Sequence, residues 1–450
     1  MFGISRRKVT MSTTAVAGAL SMAASAALAA DPVSSGEMMG QIAALRAEVA
    51  QLKGEKAAPA STDATRDGVL RDADGRGALM QADSAFVAGY SKGKFLLQSA
   101  DGKFVFHPTI QFQVRNATNL RDEGGEDGEW EGDNGWELRR TKLGFDGNAF
   151  TKDLTYNFVW ATNRNGGGLA IEDAWVRYKF APAWGFRVGQ FKAPVNHESL
   201  VSSKRQLAAD VSYFNETLFG SSPYSQGISL IYDDGGALRA EVAFTDGYNE
   251  SNGNFQDPGS GGTDANFGVG GRVEYKVMGE WGAYEDFTAL GTKADLLVIG
   301  AGADITQTGD TNAYRYVADV QYEVAAGQLG GLGLFGQIGG TTLENGGGTN
   351  TNDDDTNWGM SVQAGYMLGD RWEPFARYDY TKFESAPTGF QDDVHELTVG
   401  VNYYFVGHNA KVTVDLNYLP NGAPVSAGGL DILQSQEDQI VIRGQFQLLL

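Results

Sequence analysis

The sequence predicts an all-β chain: a sixteen-stranded antiparallel transmembrane barrel preceded by a short N-terminal helix or coiled coil. Three observations point there. Apolar and polar residues alternate through segment after segment of the last third, the connections between these segments alternate between long and short, and beyond the leader no apolar run reaches the roughly 18 residues of a transmembrane helix. Residues 410–419 show the rhythm, with Ala410, Val412, Val414, Leu416 and Tyr418 on one face and Lys411, Thr413, Asp415 and Asn417 on the other. Successive side chains of a strand point to opposite faces, so such a segment has one oily and one wet side. The last segment repeats it, with Ile440, Ile442, Phe446 and Leu448 against Gln439, Arg443, Gln445 and Gln447. In a membrane barrel the apolar side meets lipid and the polar side lines a lumen.

The elements follow in chain order. Residues 1–29 read as an export signal, with Arg6, Arg7 and Lys8, an apolar stretch to Leu28, and the small-residue site Ala27-Leu28-Ala29. Residues 30–56 read as a short periplasmic helix or coiled coil, because Ile42, Leu45, Val49 and Leu52 form a heptad seam. The seam is shorter than two heptads, so a helix there needs partners. Residues 57–95 are polar and carry Pro59, the composition of a linker, and 96–450 form the barrel. Sixteen candidate strands run from 103–116 and 136–149 to 410–419 and 438–449, most of them about ten residues long, enough for a tilted strand to cross the hydrocarbon layer. Connections 150–152, 181–183 and 234–236 are short, while 117–135, 193–225 and 248–266 are long. The connection 279–293 breaks the rule, being long where a short turn is due.

The lipid-facing positions are free of charge where this can be tested. Lys or Arg there costs about 2–4 kcal/mol near mid-membrane. The outward sets Leu154, Tyr156, Phe158, Trp160 and Tyr314, Tyr316, Ala318, Val320, Tyr322, Val324 contain none, and Trp372, Tyr378, Tyr380, Tyr403 and Phe405 suit interfacial girdles.

Composition excludes other classes. The chain has no cysteine, which removes disulfides and thiolate metal sites. Its formal charge of −21 becomes −24 when the three charges of the leader leave, and so strong an acidic balance argues against nucleic acid. His107, His197, His395 and His408 stand in no metalloprotease pattern, and neither a nucleophile elbow nor a phosphate loop occurs. No enzymatic activity, cofactor or metal is expected. Two rivals stay open, a structural barrel tethering the envelope and an outer-membrane lipase.

Three blocks carry a resemblance. Arg139-Arg140-Thr141-Lys142-Leu143-Gly144-Phe145-Asp146-Gly147, then Asp173-Ala174-Trp175-Val176-Arg177-Tyr178-Lys179-Phe180, then Arg187-Val188-Gly189-Gln190-Phe191-Lys192-Ala193-Pro194 resemble the phosphate-selective porin O and P family in order and spacing. The resemblance implies a sixteen-stranded barrel in the outer membrane of a Gram-negative-type bacterium, a homotrimer, and a pore whose basic lining passes anions such as phosphate. Beside it, the residue pattern places Arg140, Lys142, Arg177, Lys179 and Arg187 on the lumen side of neighbouring strands. The long connection 193–225 is where a loop turns inward, so Lys192, Lys204 and Arg205 are the expected constriction cations. Inward cations on adjacent strands form a track for anions, and fixed charge at a narrow point acts where water is scarce. The expected partners are small ions or solutes and outer-membrane lipids.

The later strands depart from a purely basic lining. They bring Glu323, Glu373, Asp379, Glu396 and Asp415 to the same inner face as Arg371, Arg377, Lys411 and Arg443, which favours a general pore of low selectivity. Acidic runs crowd 122–133 and 353–355, read as solvated loop tips. The terminal residue is Leu450 rather than an aromatic.

Overall fold

The computed structural model describes residues 86–91, 94–122, 130–162, 167–220, 223–249, 265–309, 311–325, 330–344 and 354–450. The chain divides into units 1–82 and 83–450. The expected signal and helix, residues 1–56, lie outside the described residues.

A hairpin of β1 (Phe86–Ser91) and β2 (Lys94–Ser99) comes first. The linker expected over 57–95 therefore holds strand β1 and the start of β2, and Leu97 and Gln98 pair onto the first barrel strand. That strand is β3 (Val105–Asp122), followed by β4 (Trp130–Asn148), β5 (Leu154–Thr162), β6 (Leu169–Lys179) and β7 (Trp184–Lys192). Next come β8 (Tyr224–Asp233), β9 (Leu238–Thr245), β10 (Phe267–Met278), β11 (Leu296–Thr308) and β12 (Thr311–Ala325). The wall ends with β13 (Gly331–Leu343), β14 (Asp355–Tyr366), β15 (Trp372–Lys382), β16 (Asp393–Val406), β17 (Ala410–Leu419) and β18 (Gln439–Leu449). Each candidate strand of the sequence overlaps one of these sixteen. The largest differences are β3 and β4, which continue into the connection expected to be loop.

Neighbours pair antiparallel from β3 round to β18, and β18 pairs back onto β3 from Gln439 opposite Arg121 to Leu449 opposite Gln111. The sheet is closed at sixteen strands. Closure matters because the hydrocarbon layer offers no partner for an open strand edge.

The two faces divide as the alternation requires. On β16, Val399 is 55% exposed and its neighbour Thr398 1%; on β17, Val414 is 44% exposed and Thr413 1%. Outward apolar side chains with no protein cover, next to inward polar ones fully enclosed, are the inverse of a water-soluble sandwich. On β3–β5 the outer face carries a continuous aromatic patch of Phe106, Phe145, Tyr156, Phe158 and Trp160, with ring centroids 5.2–6.2 Å apart. One correction concerns Arg371, expected on the inner face. It sits exposed at a rim and donates to the Tyr403 hydroxyl at 3.3 Å.

Three connections fold into the lumen. The first, 193–223, carries α1 (His197–Leu200), capped by Asn196, and α2 (Tyr213–Leu218), capped by Ser212. The second is 279–295 with α3 (Trp281–Tyr284), so the irregular connection is an elaborated turn and not a misplaced strand boundary. The third, 420–438, holds a 3-10 turn at Gly428–Leu430. Their apolar side chains form the molecule's dry cores. Val211, Tyr213, Phe214 and Phe219 of the first connection pack with Leu430 and Ile432 of the third, and Val201 and Leu207 pack with Phe287 of the second.

The outward assignment is testable by stability. Val399→Arg places a charge in the middle of β16 on the lipid side and is expected to cost about 2–4 kcal/mol in urea unfolding from lipid vesicles. No loss would mean that this face does not contact hydrocarbon.

Candidate pore and its constriction

The first inward connection is pinned to the wall by one carboxylate. Opposite β3 the register of β4 slips, Gln113 facing Arg140 and Val114 facing Leu138, so Arg139 is an extra residue. A bulge re-aims side chains locally. Here it lets two consecutive arginines reach inward, Arg139 Nε at 2.7 Å and Arg140 Nη2 at 2.8 Å from the two oxygens of Asp210. Arg115 of β3 adds a third guanidinium at 2.7 Å. Arg115 also donates to the Gly429 carbonyl and to Asp431 at 3.1 and 3.0 Å, which ties the third inward connection to the same knot. Burial opposes the Asp210 charge, but the guanidiniums of Arg139, Arg140 and Arg115 outweigh it and hold the carboxyl well below its ordinary value.

The rest of 193–223 is seated through its backbone. Asp415 accepts from Ala209 N–H at 2.9 Å, Glu396 accepts from Tyr213 N–H at 3.1 Å, and Arg377 donates to the Asp210 carbonyl at 2.9 Å. Lys411 and Asn402 donate to the carbonyls of Gln206 and Leu207 at 3.1 and 2.8 Å. Inside the segment Glu198 accepts from the Ser212 N–H and hydroxyl, both at 2.7 Å, and from Gln337. Burial pushes the Glu198 carboxyl up despite these donors and nearby Arg377. Asp415, Glu396, Arg377, Lys411 and Asn402 of the β15–β17 wall are thus spent on holding a loop.

The wall from β4 to β9 is different. Several of its inward charged side chains pair with each other and keep contact with water. Lys142 pairs with Glu172, Arg187 with Glu241, and Arg239 with Asp233 at 3.2 Å. The Glu172 and Arg239 side chains are 20% and 28% exposed, against 0% for the Arg443–Asp415 pair across the lumen. This contrast marks an aqueous lane along one side of the barrel. Within it Arg177 stands directly opposite Arg187 in the β6–β7 register, with Glu241 and Asp233 as its nearby carboxylates. Arg187 rests on the Phe191 ring at 4.0 Å and near Trp175 at 5.7 Å.

The residues singled out by sequence are placed as follows. Lys142, Arg177 and Arg187 are half-buried on the inner face of β4, β6 and β7, and Lys179 is exposed at the β6–β7 rim. Arg140 is buried in the Asp210 knot rather than facing the lane. Lys192 is held at the root of the loop, its ammonium donating to the Ser199 carbonyl. The Lys204 carbonyl accepts from Gln447 at 3.2 Å. The Arg205 side chain lies 3.6 Å from Glu285 of the second inward connection, and its carbonyl accepts from Phe287 N–H at 3.2 Å. Sequence reasoning gave no role to Arg115, Arg139 and Asp210, which make the knot, or to Glu285. A strict two-residue alternation puts Arg139 outside, and only the bulge brings it in. The His408–Asp286 contact at 2.7 Å was equally hidden, since its members are far apart in sequence. No group of residues suited to hold a metal occurs among the described residues.

A closed sixteen-strand barrel, apolar outside, with inward loops and a wetted polar lane is the architecture of a porin. The family model described as "Phosphate-selective porin O and P" matches residues 110–423, and the chain belongs to that family. The family and fold imply the bacterial outer membrane. An uncharacterized protein of Aquifex aeolicus (strain VF5) is 24% identical over 268 residues, spanning 56% of this chain and 63% of that relative's length. Among solved structures, the anion-selective porin from Comamonas acidovorans aligns with a TM-score of 0.54 at 12% identity, covering 77% of this chain and 99% of that one. The outer membrane channel DcaP of Acinetobacter baumannii gives a TM-score of 0.48 at 14% identity, over 80% of this chain and 100% of its own.

The knot gives a sharp expectation. Asp210→Asn leaves three guanidiniums without their shared counter-charge, and removing one partner of a buried ion pair costs about 3–5 kcal/mol. Trypsin should then cleave the folded barrel after Lys204 or Arg205 many times faster than wild type. Because the folded carboxyl is depressed, its stabilisation is complete above the ordinary value and is lost only as pH falls through the lowered one. Amide exchange over 205–215 should therefore stay protected, relative to intrinsic rates, from about pH 8 down to about pH 4.5. Unchanged cleavage in the variant would refute the clamp.

Proposed function

We propose that this chain is a passive porin for small solutes with a preference for anions, phosphate among them, and that it works as a homotrimer. Solutes follow their gradient along the β4–β9 lane and are sorted by size against the 193–223 loop and by charge along the lining. Lys142, Arg177, Lys179 and Arg187 line the path, with Lys192, Lys204 and Arg205 at the constriction. No energy input or cofactor enters this mechanism.

The single observation behind the anion preference is the Arg177–Arg187 pair. Like charges directly opposite on neighbouring strands destabilise a sheet. Glu241 pairs with Arg187, while Arg177 makes no ion pair among the described residues and has only the more distant Glu241 and Asp233, so two guanidiniums stand side by side near the β6–β7 turn and favour an anion there. The solved porin from Comamonas acidovorans is described as anion-selective, and its fold likeness agrees with this reading. The trimer reading is supported by the contiguous outward aromatic patch on β3–β5, the kind of surface that marks an interface.

A second reading, a general porin of low selectivity, is favoured by the ion pairing of nearly every other cation in the lane. Reversal potentials in a potassium chloride gradient separate the two. Wild type should prefer chloride, and Arg177→Glu should cancel or invert that preference while single-channel conductance stays within about twofold. Equal permeability of both ions in wild type, unchanged in the variant, would leave the low-selectivity reading standing. A barrel passing no steady current would fail both.

A further inference from the structure

The connection 279–295 is not needed to join β10 to β11, since the other turns on its rim, such as 234–237, do so with a few residues. It contains a short helix and enters the lumen. Trp281 donates to the Gly236 carbonyl at 2.8 Å and lies beneath Arg239 and Lys276, with 4.2 and 5.1 Å to the ring centroid. Tyr284 hydrogen-bonds with Arg272 at 2.7 Å and stacks on His197 of the first inward loop at 3.8 Å, the rings 4° from parallel. Phe287 packs on Phe335 at 4.4 Å. Farther along, Asp286 accepts from Gln321 through its carbonyl at 2.6 Å and meets His408 of the β16–β17 turn, and Ala289 N–H donates to Glu373 at 2.6 Å. One turn thus covers the inner wall from the β8–β9 rim to the β16–β17 rim.

Its exposed feature is Glu285. This side chain is 63% exposed and stands 3.6 Å from Arg205, itself 37% exposed on the inward loop. Asp286 and Asp295 of the turn are engaged with the wall, through His408 and the Ala325 N–H. Glu285 is the one that meets both a constriction cation and water.

We propose that the 279–295 turn is the second half of the constriction, filling the β10–β17 side of the lumen from the opposite rim and setting Glu285 against Arg205 at the edge of the lane. Bore and ion preference are then fixed jointly by two loops from opposite ends of the barrel. The inference rests on the porin reading and adds a selectivity residue of opposite sign to it.

Two sets of variants test it in planar bilayers. Glu285→Gln and Glu285→Lys change an exposed side chain and leave the apolar contacts of the turn intact, so folding does not depend on them. The reversal potential should move toward anions in the order Glu, Gln, Lys, with an anion-to-cation permeability ratio raised about twofold or more for Lys. Replacing 280–294 by Asn-Gly should raise single-channel conductance about twofold or more and weaken selectivity. A wild-type channel that conducts while Glu285→Lys leaves the reversal potential unmoved overturns the inference alone, as does a folded deletion barrel of unchanged conductance. If the deletion chain does not fold, the Glu285 pair decides. A wild-type barrel that carries no current sinks both readings.

Discussion

The constraint on which the structure depends is that hydrocarbon offers no hydrogen-bond partner to a backbone. Each strand must be paired on both sides, and the only way to leave no unpaired strand is to close the ring, which β18 does on β3. Closure fixes what each side chain meets. With one face committed to lipid, all polar side chains of the wall are driven to the other, where they must satisfy one another, a loop or water. The alternating sequence is the direct consequence, and the inward loops are the next one. Sixteen strands enclose more space than their own side chains fill, and the first and third connections occupy part of it with a small apolar core, Tyr213 and Phe214 against Leu430 and Ile432.

Ion pairs in the lumen are better understood as geometry than as stability. Taking two charges from water costs about as much as their attraction returns, so a pair such as Arg443–Asp415 adds little net stabilisation. It does give each group one correct position. Asp415, aimed by Arg443, has an oxygen placed to accept Ala209 N–H of the inward loop. Asp210, gathered by three arginines, can sit in one place only. Such fixed points on β3, β4 and β15–β18 turn a flexible connection of some thirty residues into a rigid partition. The lumen is thereby divided unequally, with one side packed and the other wet.

The wall was legible in the sequence because its two-residue period is imposed by the environment at every position. A misassigned strand would turn its oily side chains to the lumen, and the sixteen segments overlap the sixteen strands for that reason. Legibility ended where the period ended. The β4 bulge changes the facing of Arg139 without a sequence mark, and the departure of 279–293 from the loop rhythm is visible while its destination is not. The third inward connection, 420–438, gave no sign at all, because the apolar residues that seat it, Leu430 and Ile432, look like those of an ordinary loop. Site residues were harder still. The cations of the three family blocks could be assigned to a face from parity, but whether a given cation faces water or a loop depends on partners hundreds of residues away, as Arg115 depends on Asp210 and Asp431.

The net charge of the chain therefore says little about what the pore prefers. Acids at the tip of the β3–β4 hairpin, Glu131 and Asp133, are more than half exposed and already face Arg121, so salt screens them within about 8–10 Å. Charges inside the lumen are different, because low-dielectric walls focus their field along the lane. There the deciding quantity is which charge is left unanswered, and a nearly balanced wall leaves very few. A pore of this kind can carry a formal charge of −21 and still draw anions inward, provided the unanswered group is a guanidinium at a place where the solute must pass within its reach. Arg177, facing Arg187 next to the β6–β7 turn, is the group proposed for that role.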